Sequence, residues 1–215
     1  MKELQKTARV EKLRDYYFNN SKMATDKNTV CWKCHSSLML YVEGWENNAW
    51  NADTARIRRS AAEAYMLENT RPVIIPGELI VGQPCFDDFS PEEEERYKEC
   101  LKLEKIMPRK RGRADHLALD YQLLLDKGIN GIVEILDNEI GKLNLGDGSC
   151  TERYEFLYCC KIELQGLLKM CDSYSAKAKE LADNATGAQR EEYYELYEVL
   201  KQVPSNPART FREAL

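Results

Sequence analysis

The sequence has little of the material from which several kinds of functional site are built. It contains two histidines in 215 residues, His35 and His116, so a metal site or a base-assisted nucleophile has few candidate residues. No apolar run approaches the roughly 18 residues that a membrane-spanning helix needs. The first residues, MKELQKTARVEKLRDYY, are charged and lack the apolar stretch of a signal peptide. These absences predict a cytoplasmic protein without a membrane partner.

An excess of positive charge is also absent. The formal net charge is -5, which argues against nucleic acid as the main partner. Hydrophobic residues make up 43% and charged residues 31% of the chain, a balance typical of a globular fold and too apolar for disorder. Because no linker, repeat or low-complexity segment divides the chain, we treat residues 1–215 as one structural unit.

Cysteine is the residue type that is plentiful. There are eight, and an even number suggests disulfides in a short secreted chain. Here no export signal accompanies them, and most of them fall inside helical patterns. We therefore predict reduced thiols that pack between helices.

Hydrophobic periodicity predicts a mainly α fold. Asp53 is the predicted N-cap of the third helix, Ser90 and Glu93 have capping-box spacing, and Gly128 ends a helix. A short β segment is predicted near residues 72–82, where β-branched runs are bounded by Pro and Gly. The helices are expected over residues 2–20, 30–45, 53–69, 90–105, 120–126, 131–143, 151–184 and 189–203.

The segment FREAL, residues 211–215, begins a further helix that stops after five residues. So short a helix cannot stand alone, since nucleation is costly and few hydrogen bonds form. We therefore expect the chain to be cut within a helix and to be the front part of a longer polypeptide.

Two short motifs allow more than one interpretation. The segment Cys31–His35, CWKCH, has the spacing of a c-type haem attachment site, and a redox or metal site and plain helix packing are the alternatives. Haem attachment requires export, and zinc requires a second ligand pair that the chain lacks, so packing is the favoured interpretation. His116 precedes a predicted helix, with Asp120 and Tyr121 one turn further on. It either caps that helix or lies in a functional site.

Three segments in the same order resemble the glycyl radical enzymes of the pyruvate formate-lyase-like family. The first runs from the Arg58-Arg59 helix to Arg71–Gly82, which ends in ELIVG. The second begins at Asp115-His116 and is similar to the family pattern G-H-x-x-x-D-Y…L-x-x-G-x-x-G-I. The third, Val203–Leu215, resembles V-P-x-x-P-A-R-T-F-x-E-A-L-Q. The resemblance extends from about residue 25 to the end of the chain.

This resemblance implies a helical N-terminal layer around an α/β barrel that residues 1–215 do not include. In the family, a glycyl radical in a C-terminal loop generates a thiyl radical on a barrel cysteine, and the thiyl radical abstracts hydrogen from the substrate. The family contexts G-C-x-E and R-V-x-G do not occur in this sequence. The resemblance therefore implies no catalytic residue, cofactor or metal in this segment, whose activity as a separate chain is expected to be nil.

The resemblance also implies partners and a substrate-binding role. His116 would hydrogen-bond a substrate hydroxyl or carboxylate, with Asp120 fixing its orientation, while Asp115 stands where the family has glycine. The reaction would be that of a lyase, dehydratase, decarboxylase or formate C-acetyltransferase on a small organic molecule. The implied partners are the remainder of the enzyme, a radical S-adenosylmethionine activating enzyme, and a second copy in a homodimer.

A different class of function stays open beside the enzyme. A stand-alone helical interaction protein, derived from such an enzyme by truncation, would bind partners through exposed apolar faces and catalyse nothing.

Overall fold

The structure is a computed structural model, and it describes residues 8–16, 35–48, 54–82, 90–107 and 119–215. Those residues are mainly helical, as predicted. The short helix Gly148–Cys150 is of the 3-10 type. The α-helices are α1 (Ala8–Asp15), α2 (His35–Asn47), α3 (Ala55–Glu68), α4 (Pro91–Glu104), α5 (Tyr121–Gly141), α6 (Thr151–Asn184), α7 (Gly187–Gln202) and α8 (Phe211–Ala214).

Helix α6 is the centre of the packing. It contacts α3, α5 and α7, while α2 joins α3 and α4. With 34 residues it is long enough for all three neighbours. At Gly166 the backbone of α3 comes so close that an added Cβ would lie 2.7 Å from Ala64 Cα. A glycine at this point allows the two helices to meet backbone to backbone.

Two apolar clusters form the core of the described residues. The larger lies between α6 and α7 and also takes in Ile74 from the segment before α4; its other members are Tyr174, Ala178, Ala182, Tyr193 and Leu196. The smaller joins α2 and α4 through Leu38, Val42 and Cys100. The predicted α2 residues Leu38, Tyr41 and Val42 are buried, whereas Phe156 of the predicted α6 stripe is 60% exposed.

The helix ends test the capping predictions. The Ser90 capping box is confirmed, because the Glu93 amide donates to Ser90 Oγ (3.2 Å) and the Ser90 amide donates to Glu93 Oε2 (2.7 Å). The prediction of Asp53 as N-cap was wrong by one residue: α3 begins at Ala55, and its N-cap is Thr54, whose hydroxyl accepts from the Ile57 amide. Gly128 leaves helical geometry as predicted, although the helical assignment continues across it.

The predicted β segment near residues 72–82 is not a strand in the structure. A strand needs a neighbouring strand to supply its ladder of hydrogen bonds, and none of the described residues is in a strand. The β-branched side chains are instead used for packing, since Ile74 and Ile75 are buried. Among the helices that the structure describes, none is both long and apolar enough to cross a membrane.

Candidate functional site

The parts of all three resembling segments that the structure describes meet around one apolar cavity of about 260 Å³. The first segment contributes Leu79 to Val81, α5 contributes Leu124 and Leu125, and the last segment contributes residues from Val203 to Leu215. Leu196, Val199 and Leu200 of α7 complete the wall. Residues that are far apart in the sequence are therefore brought to one place.

A turn fixes the first wall. The Glu78 amide donates to the Ile75 carbonyl (3.0 Å), and Pro76 and Gly77 occupy the centre of the turn. The positive φ of Gly77, 99°, is typical of the third residue of a type II turn. In return, the Ile75 amide donates to Glu78 Oε2 (2.8 Å). These two hydrogen bonds between Ile75 and Glu78 fix the turn, so that Leu79 and the following residues lie at the cavity.

The second wall is fixed where α5 crosses the last segment. The amides of Ile129 and Asn130 donate to the carbonyls of Pro204 (2.9 Å) and Ser205 (3.0 Å). Gly128 has φ 61° and ψ 177°, and a Cβ there would lie 2.5 Å from the carbonyl carbon of Asn206. Both the backbone conformation and the close approach require glycine. In the sequence, the spacing of Gly128 and Gly131 gave no sign that Gly128 packs against Asn206.

The last segment ends in a capped turn. Thr210 is the N-cap of α8, and its Oγ1 accepts from the Glu213 amide (3.2 Å). Arg209 donates to Glu213 from Nη2 and from its own backbone amide, at 2.6 Å in both cases. These hydrogen bonds from Arg209 lower the pKa of the Glu213 carboxyl. The carboxylate is thus held by Arg209.

Arg212 is a cavity residue that the sequence reasoning missed. Its Nη1 pairs with Glu195 Oε1 of α7 at 2.7 Å. Among the described residues, its Nε and Nη2 have no hydrogen-bond partner and no appreciable exposed surface. Position 212 is an unspecified letter (x) of the resembling pattern, so the pattern did not single it out.

Of the two predicted site residues, the structure describes one. Asp120 is the N-cap of α5, and its Oδ1 accepts from the Leu123 amide at 3.0 Å. His116 lies outside the described residues, as do Cys31, Cys34 and Cys85. The pairing of His116 with Asp120 therefore stays a prediction.

The five described cysteines are free thiols, and Cys100, Cys159 and Cys171 are buried. Burial raises the pKa of Cys100, Cys159 and Cys160, and it raises that of Cys171 to about 11. Such thiols stay protonated near neutral pH and are poor nucleophiles. Within the described ranges no cluster of three or more His, Cys, Asp or Glu could hold a metal.

Comparison with known proteins agrees with this architecture. The family described as pyruvate formate lyase-like matches residues 83–215. The chain belongs to this family. A curated relative, the (2S)-3-sulfopropanediol dehydratase of Klebsiella oxytoca, is 29% identical over 103 residues, which are 47% of this chain and 12% of the relative.

Two solved structures share the fold. The glycerol-bound form of the B12-independent glycerol dehydratase from Clostridium butyricum gives a TM-score of 0.70 at 20% identity, over 83% of this chain and 30% of that chain. A glycyl radical enzyme from Archaeoglobus fulgidus gives 0.63 at 20% identity, over 85% of this chain and 32% of that chain. The chain thus spans about a third of the length of these structures and an eighth of the curated relative.

Proposed function

We propose that the chain is the N-terminal helical portion of a glycyl radical enzyme, and that the enzyme is a dehydratase. The observation that carries the proposal is the family match over residues 83–215, in a chain where the described parts of the three resembling segments meet at one cavity. In this proposal the helices form a layer against an α/β barrel. The glycyl radical, its activating enzyme and the substrate-activating thiol all belong to polypeptide outside residues 1–215.

The proposed substrate is a small molecule with adjacent hydroxyl groups. Two of the similar proteins are dehydratases, one named for glycerol and one for (2S)-3-sulfopropanediol. The chemistry proposed for the whole enzyme is loss of water after hydrogen abstraction from the substrate. The role of this chain is to exclude solvent from the radical site and to supply His116 as a hydrogen-bonding group for the substrate.

The test uses this chain assembled with the rest of the enzyme and treated anaerobically with a radical S-adenosylmethionine activating enzyme. We expect the electron paramagnetic resonance signal of a glycyl radical, followed by dehydration of one member of a panel of glycerol, 1,2-propanediol and 3-sulfopropanediol. Formate release from pyruvate and coenzyme A is the contrasting arm. A radical signal with formate release would contradict the dehydratase assignment, and the absence of a signal would contradict the enzyme class.

Substitutions at His116 and Asp120 test the site within that assembly. His116→Ala is expected to lower kcat/KM at least about a hundredfold if it contacts the reacting group. Asp120→Asn keeps an N-cap acceptor but removes the charge, so it separates capping from orientation. Lower turnover at unchanged stability would support orientation of His116, whereas wild-type turnover would leave Asp120 as a cap only.

The alternative of a non-catalytic interaction protein is favoured by one observation. Large apolar side chains on the described surface are exposed, Ile80 by 62% and Leu215 by 66%. Stable binding of a partner without any radical signal in the assembly would favour this function.

A further inference from the structure

The break in α5 at Gly128 separates a donor and an acceptor that a continuous helix would pair. In an uninterrupted α-helix each amide donates to the carbonyl four residues earlier, so the Ile129 amide would donate to the Leu125 carbonyl. The non-helical φ and ψ of Gly128 direct the Ile129 amide to the Pro204 carbonyl instead (2.9 Å). The Leu125 carbonyl accepts from the Ala208 amide (3.3 Å). Both groups are thus paired with the last segment.

A second donor follows the same pattern. The Asn130 amide would donate to the Asp126 carbonyl in a continuous helix, and it donates to the Ser205 carbonyl (3.0 Å). Residues 204–208 therefore run past the break and supply partners on both sides of it, carbonyls to the residues after Gly128 and an amide to a residue before it.

A second arrangement of α5 satisfies the same backbone groups. If residues 204–208 withdraw, the amides of Ile129 and Asn130 can return to the carbonyls four residues earlier, and α5 becomes one continuous helix. The carbonyls of the withdrawn segment are half-buried already and can bind water. Gly128 suits both arrangements, because glycine adopts a positive φ and a helical φ without a steric penalty.

We propose that the break in α5 is a two-state hinge. With residues 204–208 inserted, α5 is bent at Gly128, and with them withdrawn, α5 is a single straight helix. The second half of α5 stays in place, because α6 holds it through the ion pairs of Lys161 with Asp137 and Arg153 with Glu139. The first half, Tyr121–Lys127, therefore changes direction.

The hinge converts movement of the last segment into movement of the residues that precede α5. Asp120, the N-cap of α5, moves with the first half of the helix. Under the proposed function, His116 lies just before this cap and contacts the substrate, so the hinge would regulate the placement of His116. That consequence rests on the proposed function, whereas the hinge itself does not.

Hydrogen exchange of the 215-residue chain, followed amide by amide by nuclear magnetic resonance, tests the hinge. Withdrawal of the segment leaves the Ala208 amide in water but keeps those of Ile129 and Asn130 hydrogen-bonded in the closed helix. We therefore expect the Ala208 amide to exchange at least about tenfold faster than the other two, after correction for intrinsic rates. Equal protection of all three amides would mean that they open together, and would overturn the hinge.

Relaxation dispersion of the Gly128 ¹³Cα signal separates withdrawal from local fraying at Ala208. We expect a minor state with the chemical shift of a helical glycine. Gln202→Ala should raise its population about fivefold, since Gln202 Nε2 donates to the Pro207 carbonyl (2.8 Å) and holds the segment in its path. Gln122→Ala is the matched control. It removes a side-chain hydrogen bond within the first half of α5 and should leave the population unchanged.

The outcomes are distinguishable. A Gly128 signal without a helical minor state, in wild type and in Gln202→Ala, would contradict the hinge whatever the exchange rate of Ala208. Equal populations in Gln202→Ala and Gln122→Ala would contradict it as well. Both methods are applied to the wild-type chain, so the test does not depend on the folding of a variant. Neither method requires a radical or a substrate, so failure of the hinge leaves the proposed function standing, and the reverse.

Discussion

At Gly128 two requirements fall on one residue. The backbone has φ 61°, and an added Cβ would collide with Asn206. Gly187, the first residue of α7, has nearly the same φ of 59° but nothing within 4 Å of an added Cβ. The two glycines therefore separate the cost of the conformation from the cost of the collision.

Replacement of Gly128 by alanine should lower the free energy of unfolding by at least about 3 kcal/mol, from backbone strain plus overpacking. Gly187→Ala should cost only about 1 kcal/mol, because strain acts there without a collision. Urea titration of both variants measures the difference. Equal losses would mean that the contact with Asn206 is unimportant.

Cys171 gives the chain a defined pH dependence. Burial first, and then the charge of Asp172, raises the pKa of its thiol from 9.0 to about 11. Below pH 9 the thiol is protonated in both the folded and the unfolded state, and the full stabilisation is present. Between pH 9 and 11 only the unfolded state loses its proton, so stability falls as pH rises.

By pH 11 this single group should reduce the free energy of unfolding by about 2–3 kcal/mol. Urea titrations of wild type and Cys171→Ala at several pH values between 8 and 11 isolate the effect as a difference. The gap between the two proteins should narrow as pH rises. A gap that is constant with pH would show that Cys171 does not have a raised pKa.

At the scale of the helix, Gly166 sets how closely α6 approaches α3. Alanine is intrinsically the better helix former, by up to about 1 kcal/mol. At this crossing, however, its Cβ would lie 2.7 Å from both the Cα and the carbonyl oxygen of Ala64. Backbone atoms cannot move aside as a flexible side chain can. The collision therefore outweighs the gain in helix propensity, and the free energy of unfolding should fall.

We expect Gly166→Ala to destabilise the chain by about 1–3 kcal/mol. Gly141→Ala in α5, where nothing lies within 4 Å of an added Cβ, should be neutral or stabilise by up to about 1 kcal/mol. Thermal unfolding measures both variants: the melting temperature should fall for Gly166→Ala and should stay the same or rise for Gly141→Ala. Stabilisation by both would mean that α3 and α6 are not held at this distance.

On the scale of the whole molecule, exposed apolar side chains differ in whether they line the cavity. Ile80 lines the cavity and is 62% exposed, while Ile106 follows α4 and is 80% exposed. Neither side chain contributes much to the stability of the chain alone, because both remain largely in water.

We predict that Ile80→Ala weakens assembly with the remainder of the enzyme about tenfold, since burial of the side chain is then lost. Ile106→Ala should change neither assembly nor, by more than about 0.5 kcal/mol, the free energy of unfolding. Isothermal titration calorimetry of each variant against the rest of the enzyme measures assembly, and urea titration measures the free energy of unfolding. Equal effects of the two substitutions on assembly would argue against burial of Ile80 in the assembled enzyme.

The sequence by itself determined the helical class, the capping box at Ser90, the break at Gly128 and the family. Each of these depends on neighbouring residues or on short ordered motifs, which can be read locally. It predicted a β segment near residues 72–82 from β-branched residues alone, but strand formation depends on a pairing partner, and local propensity contains no information about that partner.

Only the tertiary structure decided which distant residues meet. The meeting of Gly128 with Asn206, the cavity between Leu79 and Leu215, and the ion pair of Arg212 with Glu195 are contacts between residues that are separated in the chain. No periodicity encodes such contacts, because they depend on how the helices cross. The sequence therefore identified the family, and the arrangement in space identified the cavity at which the described parts of the three resembling segments meet.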